Sequence, residues 1–430
     1  MIYAWGEEKR DTIEKGIIQM MDRHHWWRLV GMGRPAVLPD RISDIAFLME
    51  GSKSGDFMSR LNKFVLYHRL IGKALGTFGL RNLELNYYAC RAVSAAFFLA
   101  GLILIFLTFR LLAAGWDVAA GWGIYFVLFL PQFLLTSVSV NPDAFALFLS
   151  SVFLYAAYAL MTGRVRGAWA VLLLVPAGLG FLADRSLFFL AVLAVLAPLF
   201  LVRRDNYQRI IILTLFFAVL TILFLYFLAL KFPFQFENSL LIGKSILNNF
   251  RRAVPSFFSL DAFHLKYWGM IADSFLLKFG WHVFSAPKVA YEIWRLFFLG
   301  SLAGLLIAVV KFVRDRWKEK RETEIPAGSP GRRLAVFSLA AVFIQAFGLW
   351  SYYGVHNIFG QGRYFFPVIV PVAAFFLIGL RSLGDAIRRN GGRIAITTAL
   401  ILEFFFLGYT LWHDIVPVFH LIIKSPYVGI

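Results

Sequence analysis

Stretches of about 20 consecutive residues with almost no charge recur along this chain, each long enough to cross about 30 Å of hydrocarbon as one α-helix. Inside lipid every backbone N–H and C=O must be satisfied internally, so repeated stretches of this length dictate helices rather than irregular loops or open sheets. Run by run, about ten candidate spans emerge. They lie near 89–111, 118–136, 143–162, 168–183, 186–202, 210–230, 291–313, 334–353, 364–382 and 394–412. The fourth and fifth are short, and Pro176 interrupts the fourth. Joined as one helix they would run about 50 Å, too long for one crossing, so they read as two antiparallel spans turning at Asp184-Arg185. Hydrophobic residues make up 60% of the chain and the mean hydropathy is +0.70, which excludes an ordinary soluble domain. The expected fold is all-α: a polytopic integral membrane protein with interfacial amphipathic helices.

The formal charge of +18 raises the question of nucleic acid as a partner. The cations, however, fall in short runs between apolar spans, where they fix orientation and meet anionic lipid. Membrane lipid is therefore the expected partner and nucleic acid is not. One alternate set of connections carries Arg110; Arg164 and Arg166; Arg203, Arg204 and Arg209; a cluster from Lys311 to Arg333; and Arg381, Arg388, Arg389 and Arg393. The short loops of the opposite set carry only Arg185 and Arg363. By the positive-inside rule the first set is cytoplasmic, and the second faces outward together with the long segment 231–290. The stretch 314–333, with Pro326-Ala327-Gly328-Ser329-Pro330, reads as a cytoplasmic linker. The expected organisation is an extracytoplasmic amphipathic segment 1–87, a first transmembrane bundle 88–230, an extracytoplasmic loop 231–290 and a second bundle 291–430.

Within 1–87, Ile13, Ile17, Met20, Met21, His24 and Trp27 recur at helical spacing among charged residues, as do Leu61, Phe64, Val65, His68 and Ile71 within 61–80. Both read as helices lying along the membrane interface. This segment has no span of its own: either it crosses unaided or a first helix precedes Met1, and the second is the expectation. No 20–50 residue repeat is evident, which argues against a transporter built from internal duplications. A single cysteine, Cys90, rules out a disulfide framework and a sulfur metal site.

Three polar islands abut apolar spans on the outward side: Asn141-Pro142-Asp143, Asp184-Arg185-Ser186 and Gly360-Gln361-Gly362-Arg363-Tyr364. An ionisable group at the edge of hydrocarbon costs free energy unless a partner or ligand compensates it, so these residues are candidates for a site. Guanidinium matches phosphate with several donors at once, which makes Arg363 and Arg185 candidates for an anionic lipid head. The glycines flanking Gln361 allow close backbone approach, and Tyr364 can stack on a sugar or anchor the interface. Asn141 and Asp143 open a helix after a turn, so Asp143 is a cap candidate as well as a site residue. Sugar transfer to a hydroxyl needs a general base, for which Glu8 and Glu7, ahead of the first amphipathic helix, are the best-placed carboxylates. His24-His25 and His282 have no carboxylate at ligand spacing, so neither a metal nor another cofactor is expected.

Ser139-Val140-Asn141-Pro142-Asp143-Ala144, Phe279-Gly280-Trp281 and Gly360-Gln361-Gly362-Arg363-Tyr364-Phe365-Phe366-Pro367 together resemble motifs of the bacterial membrane family catalogued as domain of unknown function 2142. More broadly the pattern is similar to the polytopic glycosyltransferases of the C superfamily. That resemblance implies a multi-pass enzyme of the bacterial inner membrane with its active face extracytoplasmic, acting in envelope polysaccharide biosynthesis. It would transfer a sugar, with inversion, from a polyprenyl-phosphate-linked donor to a glycan or lipid acceptor. It also implies a catalytic acidic pair in the first outward loop, usually Asp-Glu followed by His; the nearest match is Glu7-Glu8 with Asp11 at the histidine position. Two other classes remain open: a transporter or flippase of lipid-linked saccharides, and a non-catalytic partner in envelope assembly. A transporter should carry charge deep in its spans, where Glu403 and Arg91 are the clearest instances.

Overall fold

A helix occupies each of the ten apolar stretches in the computed structural model. It describes residues 66–77, 83–112, 117–130, 142–165, 171–201, 207–258, 262–276, 278–279, 284–285, 288–319, 330–352 and 362–410, with isolated positions elsewhere. The helices are α1 (Leu66–Thr77), α2 (Leu83–Leu112), α3 (Asp117–Phe129), α4 (Pro142–Met161), α5 (Val171–Ala183), α6 (Phe188–Leu201) and α7 (Tyr207–Lys231). They continue as α8 (Pro233–Phe257), α9 (Ala262–Leu276), α10 (Lys288–Glu319), α11 (Pro330–Tyr352), α12 (Ile369–Ile387) and α13 (Gly391–Thr410). Short 3₁₀ turns, Arg185–Leu187 and Gly362–Val368, lead into α6 and α12.

Seven of these helices are long and apolar enough to cross a membrane: α2, α4, α7, α10, α11, α12 with its preceding turn, and α13. The ten crossings expected from the sequence are thus seven by length among the described residues. In α3, α5 and α6 the helical stretch is apolar but shorter. Pro176 lies inside α5 and Pro198 inside α6. Each of these two helices rises only about 20 Å at 1.5 Å per residue.

The segment 231–290, expected as a long loop, is mostly helical. Proline starts α8 without a capping side chain, its missing N–H being one that the first helical turn leaves unpaired anyway. Beyond α9, Lys278–Phe279 pairs antiparallel with Phe284–Ser285. Both helices pack onto the bundle: Tyr267 of α9 is fully buried and its hydroxyl donates to the Leu349 carbonyl of α11 at 3.4 Å.

The halves 88–230 and 291–430 share one apolar core. Tyr158 of α4 stacks edge-on against Phe337 of α11 at 5.8 Å and hydrogen-bonds the Ser338 hydroxyl at 2.6 Å. Phe126 of α3 meets Phe376 of α12 at 4.9 Å. Between α10 and α12 the backbones nearly touch, since a Cβ on Gly304 would stand 1.9 Å from the Gly379 carbonyl oxygen. Small residues permit such contact where van der Waals packing, rather than water exclusion, holds helices together.

A helix does form within 61–80, but it does not lie free. Leu66, Tyr67 and Ile71 of α1 are buried, and the Tyr67 hydroxyl hydrogen-bonds Ser94 on α2, whose own hydroxyl donates to the Cys90 carbonyl at 3.0 Å. Most of the amphipathic stretch at 13–27 lies outside the described residues. Apolar side chains such as Ile212, Ile222 and Leu230 of α7 and Leu299, Leu306 and Val310 of α10 point outward, as lipid-facing sides must.

Candidate functional site

Three turns of the chain meet at one end of the bundle, and each is shaped by its own sequence. Pro142 opens α4 and puts Asp143 in its first turn, where the helix dipole favours a carboxylate. At the close of α5 the chain reverses through Asp184, whose Oδ1 accepts the Ser186 N–H at 2.7 Å while its carbonyl accepts the Leu187 N–H at 3.1 Å. A side-chain turn of this kind is what aspartate offers the backbone. The third is the Gly362–Val368 turn. Its first N–H donates to the Ser274 hydroxyl of α9 at 2.6 Å, and a Cβ on Gly362 would lie 2.1 Å from the Phe275 backbone nitrogen. Only glycine fits this close approach, and it fixes where the next residue, Arg363, emerges.

Arg363 Nη1 stands 3.3 Å from Asp143 Oδ2, with the two side chains 19% and 11% exposed. From the Asp184 carboxylate a weaker electrostatic attraction, smaller than that of Asp143, reaches this guanidinium. Its Cζ lies 5.6 Å from the centre of the Tyr364 ring. Tyr364 is held in turn through its carbonyl, which accepts a hydrogen bond from the Gln345 side-chain amide of α11. Beside it runs a cavity of about 20 Å³, room for about one water. Ser186, Gln345, Tyr352, Tyr364 and Ile246 of α8 are among its walls.

Chemically the cluster couples a cation able to take a phosphate with a carboxylate able to take a proton. The two are engaged with each other, so an anion arriving at Arg363 competes with Asp143 for it. The sequence offered Arg363 for an anion and Asp143 as a cap and site residue on separate islands; the structure joins them as one ion pair. Tyr364 lies against Arg363. Arg185 is placed by its backbone in the turn beside the cluster, and its side chain lies outside the described residues. So do Glu7, Glu8, Asn141, Gln361, Gly280 and Trp281.

Gln345 and Ser274 belong to the cluster and were not read as site residues from the sequence. Asp184 stood in a candidate island with Arg185, and nothing in the sequence showed that it would act on Arg363. Gln345 carried a usable signal, since an amide within an apolar span is costly unless it has a partner across the helix interface. Ser274 carried none. Among the described residues no group of three or more His, Cys, Asp or Glu side chains could hold a metal ion. No family model, curated protein or solved structure matches the chain.

Proposed function

We propose that the protein is a membrane glycosyltransferase, moving a sugar from a polyprenyl-phosphate carrier to a glycan or lipid acceptor on the extracytoplasmic face of a bacterial inner membrane. The observation that carries this reading is the Asp143–Arg363 pair, with Asp184 within electrostatic range, at the helix ends where a lipid headgroup would lie. In the reaction an acceptor hydroxyl oxygen bonds to the anomeric carbon as the bond from that carbon to the phosphate oxygen breaks. The leaving polyprenyl phosphate keeps the electron pair, and Arg363 stabilises its growing charge. Phosphate binding at Arg363 draws the guanidinium off Asp143, and the released carboxylate is then in place to take the hydroxyl proton or to orient the acceptor. Glu8 and Glu7 are the other candidate bases. A single base with no covalent nucleophile gives inversion.

The test is transfer from labelled polyprenyl-phosphate sugars by purified protein in lipid vesicles, comparing wild type with Arg363→Ala and Arg363→Lys. Loss of one such electrostatic donor is expected to lower turnover by about 100-fold or more, with the lysine variant intermediate. A transporter or flippase of lipid-linked saccharides is the second reading. It draws its support from Glu403 in α13, which is 2% exposed with neither carboxylate oxygen partnered among the described residues. If wild type carries the intact lipid-linked sugar across the vesicle bilayer and never releases polyprenyl phosphate, transport displaces transfer.

A further inference from the structure

α8 lies across the end of the bundle where the candidate site is found. Near its start Phe236 packs on Phe181 of α5 at 5.8 Å, and the Phe232 N–H that precedes it donates to the Leu228 carbonyl of α7 at 2.7 Å. Toward its far end it crosses α11, where the Asn249 amide donates to the Ser351 carbonyl at 3.1 Å and the Trp350 indole to the Ser256 hydroxyl at 3.0 Å. α11 ends at Tyr352, so Ser351 is close to the site end, and Phe347 and Phe343 lie successively deeper. The ring of Phe250 meets Phe347 at 5.5 Å, and that of Phe257 meets Phe343 and Phe347, each at 5.5 Å. The side of α8 bearing Phe250 and Phe257 therefore faces toward the middle of the bundle. Leu247 and Val254, three and four residues from Phe250, share that side and are exposed, Leu247 by 70%.

Beside that stripe, from Lys244 onward, the exposed charges of α8 are all cationic, while Leu240 and Leu241, one turn earlier, are exposed apolar residues. Lys244 and Arg251 are seven residues apart and share a face, while Arg252 adjoins Asn248 four residues earlier. All three cations are exposed, and among the described residues none has an ion-pair partner. Glu237, near the start of the helix, is the exposed acidic residue of α8. An apolar stripe on the deep side with a cationic stripe beside it is the pattern of a helix lying in the plane of a membrane interface. Long basic side chains there keep their stems on apolar surface and their charges at the headgroups.

We propose that α8 is an in-plane interfacial helix whose Lys244, Arg251 and Arg252 bind the phosphate headgroups of anionic phospholipid. Charge complementarity and the depth order of its neighbours on α11 select this occupant. The surface does not depend on sugar transfer, although Ile246 of α8 lines the cavity beside Tyr364, so lipid gathered here stands next to the site.

The experiment is native mass spectrometry of the purified full chain from micelles holding equal amounts of phosphatidylglycerol and phosphatidylethanolamine. Each cation at an anionic surface contributes about a fivefold preference. Wild type is expected to retain phosphatidylglycerol in excess, the triple variant K244A/R251A/R252A to lose most of that excess, and the charge-keeping variant K244R/R251K/R252K to preserve it. Equal retention of phosphatidylglycerol by wild type and the alanine variant would overturn the proposal, as would an equal loss of both lipids. Thermal unfolding is recorded alongside, and should the triple variant lose its fold, Arg251→Ala alone reads the same difference at smaller size. Because no sugar donor is present, failure here leaves the transferase reading untouched, and failure of transfer leaves this one.

Discussion

Arg363 and Asp143 illustrate how a charge survives at the edge of hydrocarbon. Each is mostly withdrawn from solvent, so neither is affordable alone, and a salt bridge of this kind is revealed less by what it adds than by what its rupture costs. Asp143→Ala or Arg363→Ala is expected to destabilise the protein by about 3 kcal/mol, because the remaining charge is stranded. The double variant should cost clearly less than the sum of the two. A double-mutant cycle read by thermal unfolding in detergent measures this coupling, and strict additivity would show that the pair does not interact. The sequence showed both residues beside apolar spans, and nothing in hydropathy or spacing showed that they pair. Which island faces which is set by how α4 and the turn before α12 pack, and that choice has no local signature.

At the scale of elements, the contact between α10 and α12 sets where Arg363 stands, because α12 continues from the turn that carries it. That contact rests on missing side chains. A Cβ on Gly379 would lie 2.1 Å from the Ser301 carbonyl oxygen and 2.5 Å from its hydroxyl, which itself donates to the Phe376 carbonyl at 3.0 Å. Gly379→Ala should therefore force the two helices apart and cost about 2 kcal/mol, the order expected for overpacking a tight interface. Unfolding temperature in detergent checks this, with Gly408→Ala, whose added methyl meets nothing within 4 Å, as the control expected to change little. The helices themselves were legible from hydropathy, because an uncharged stretch in lipid has no other way to satisfy its backbone. Segment 231–290 was not, since its charges are spread along an amphipathic surface and resemble a polar loop until one side is seen to be covered.

For the whole molecule, the described cations Arg164, Arg333 and Arg388 stand near the ends of α4, α11 and α12 opposite those that frame the candidate site, and this polarity should set its orientation. Cysteines placed in a background lacking Cys90, at Arg389 and at Lys244, should react with a membrane-impermeant maleimide from opposite faces, with Arg389→Cys labelled only from the cytoplasmic side. Labelling of both from one face would refute the topology. Chain chemistry alone determined that the protein is embedded in a membrane, where its helical stretches fall and which residues sit at the hydrocarbon boundary. These follow from the length of apolar runs and the energetic penalty on charge, both properties of local sequence. Only the tertiary structure decided that Asp143 answers Arg363, that Asp184 joins them, that Gly362 is pinned against Phe275 and that α8 lies across the end of the bundle. Those outcomes depend on which surfaces meet once the helices pack, and the same local pattern is compatible with many such meetings until close contacts select one.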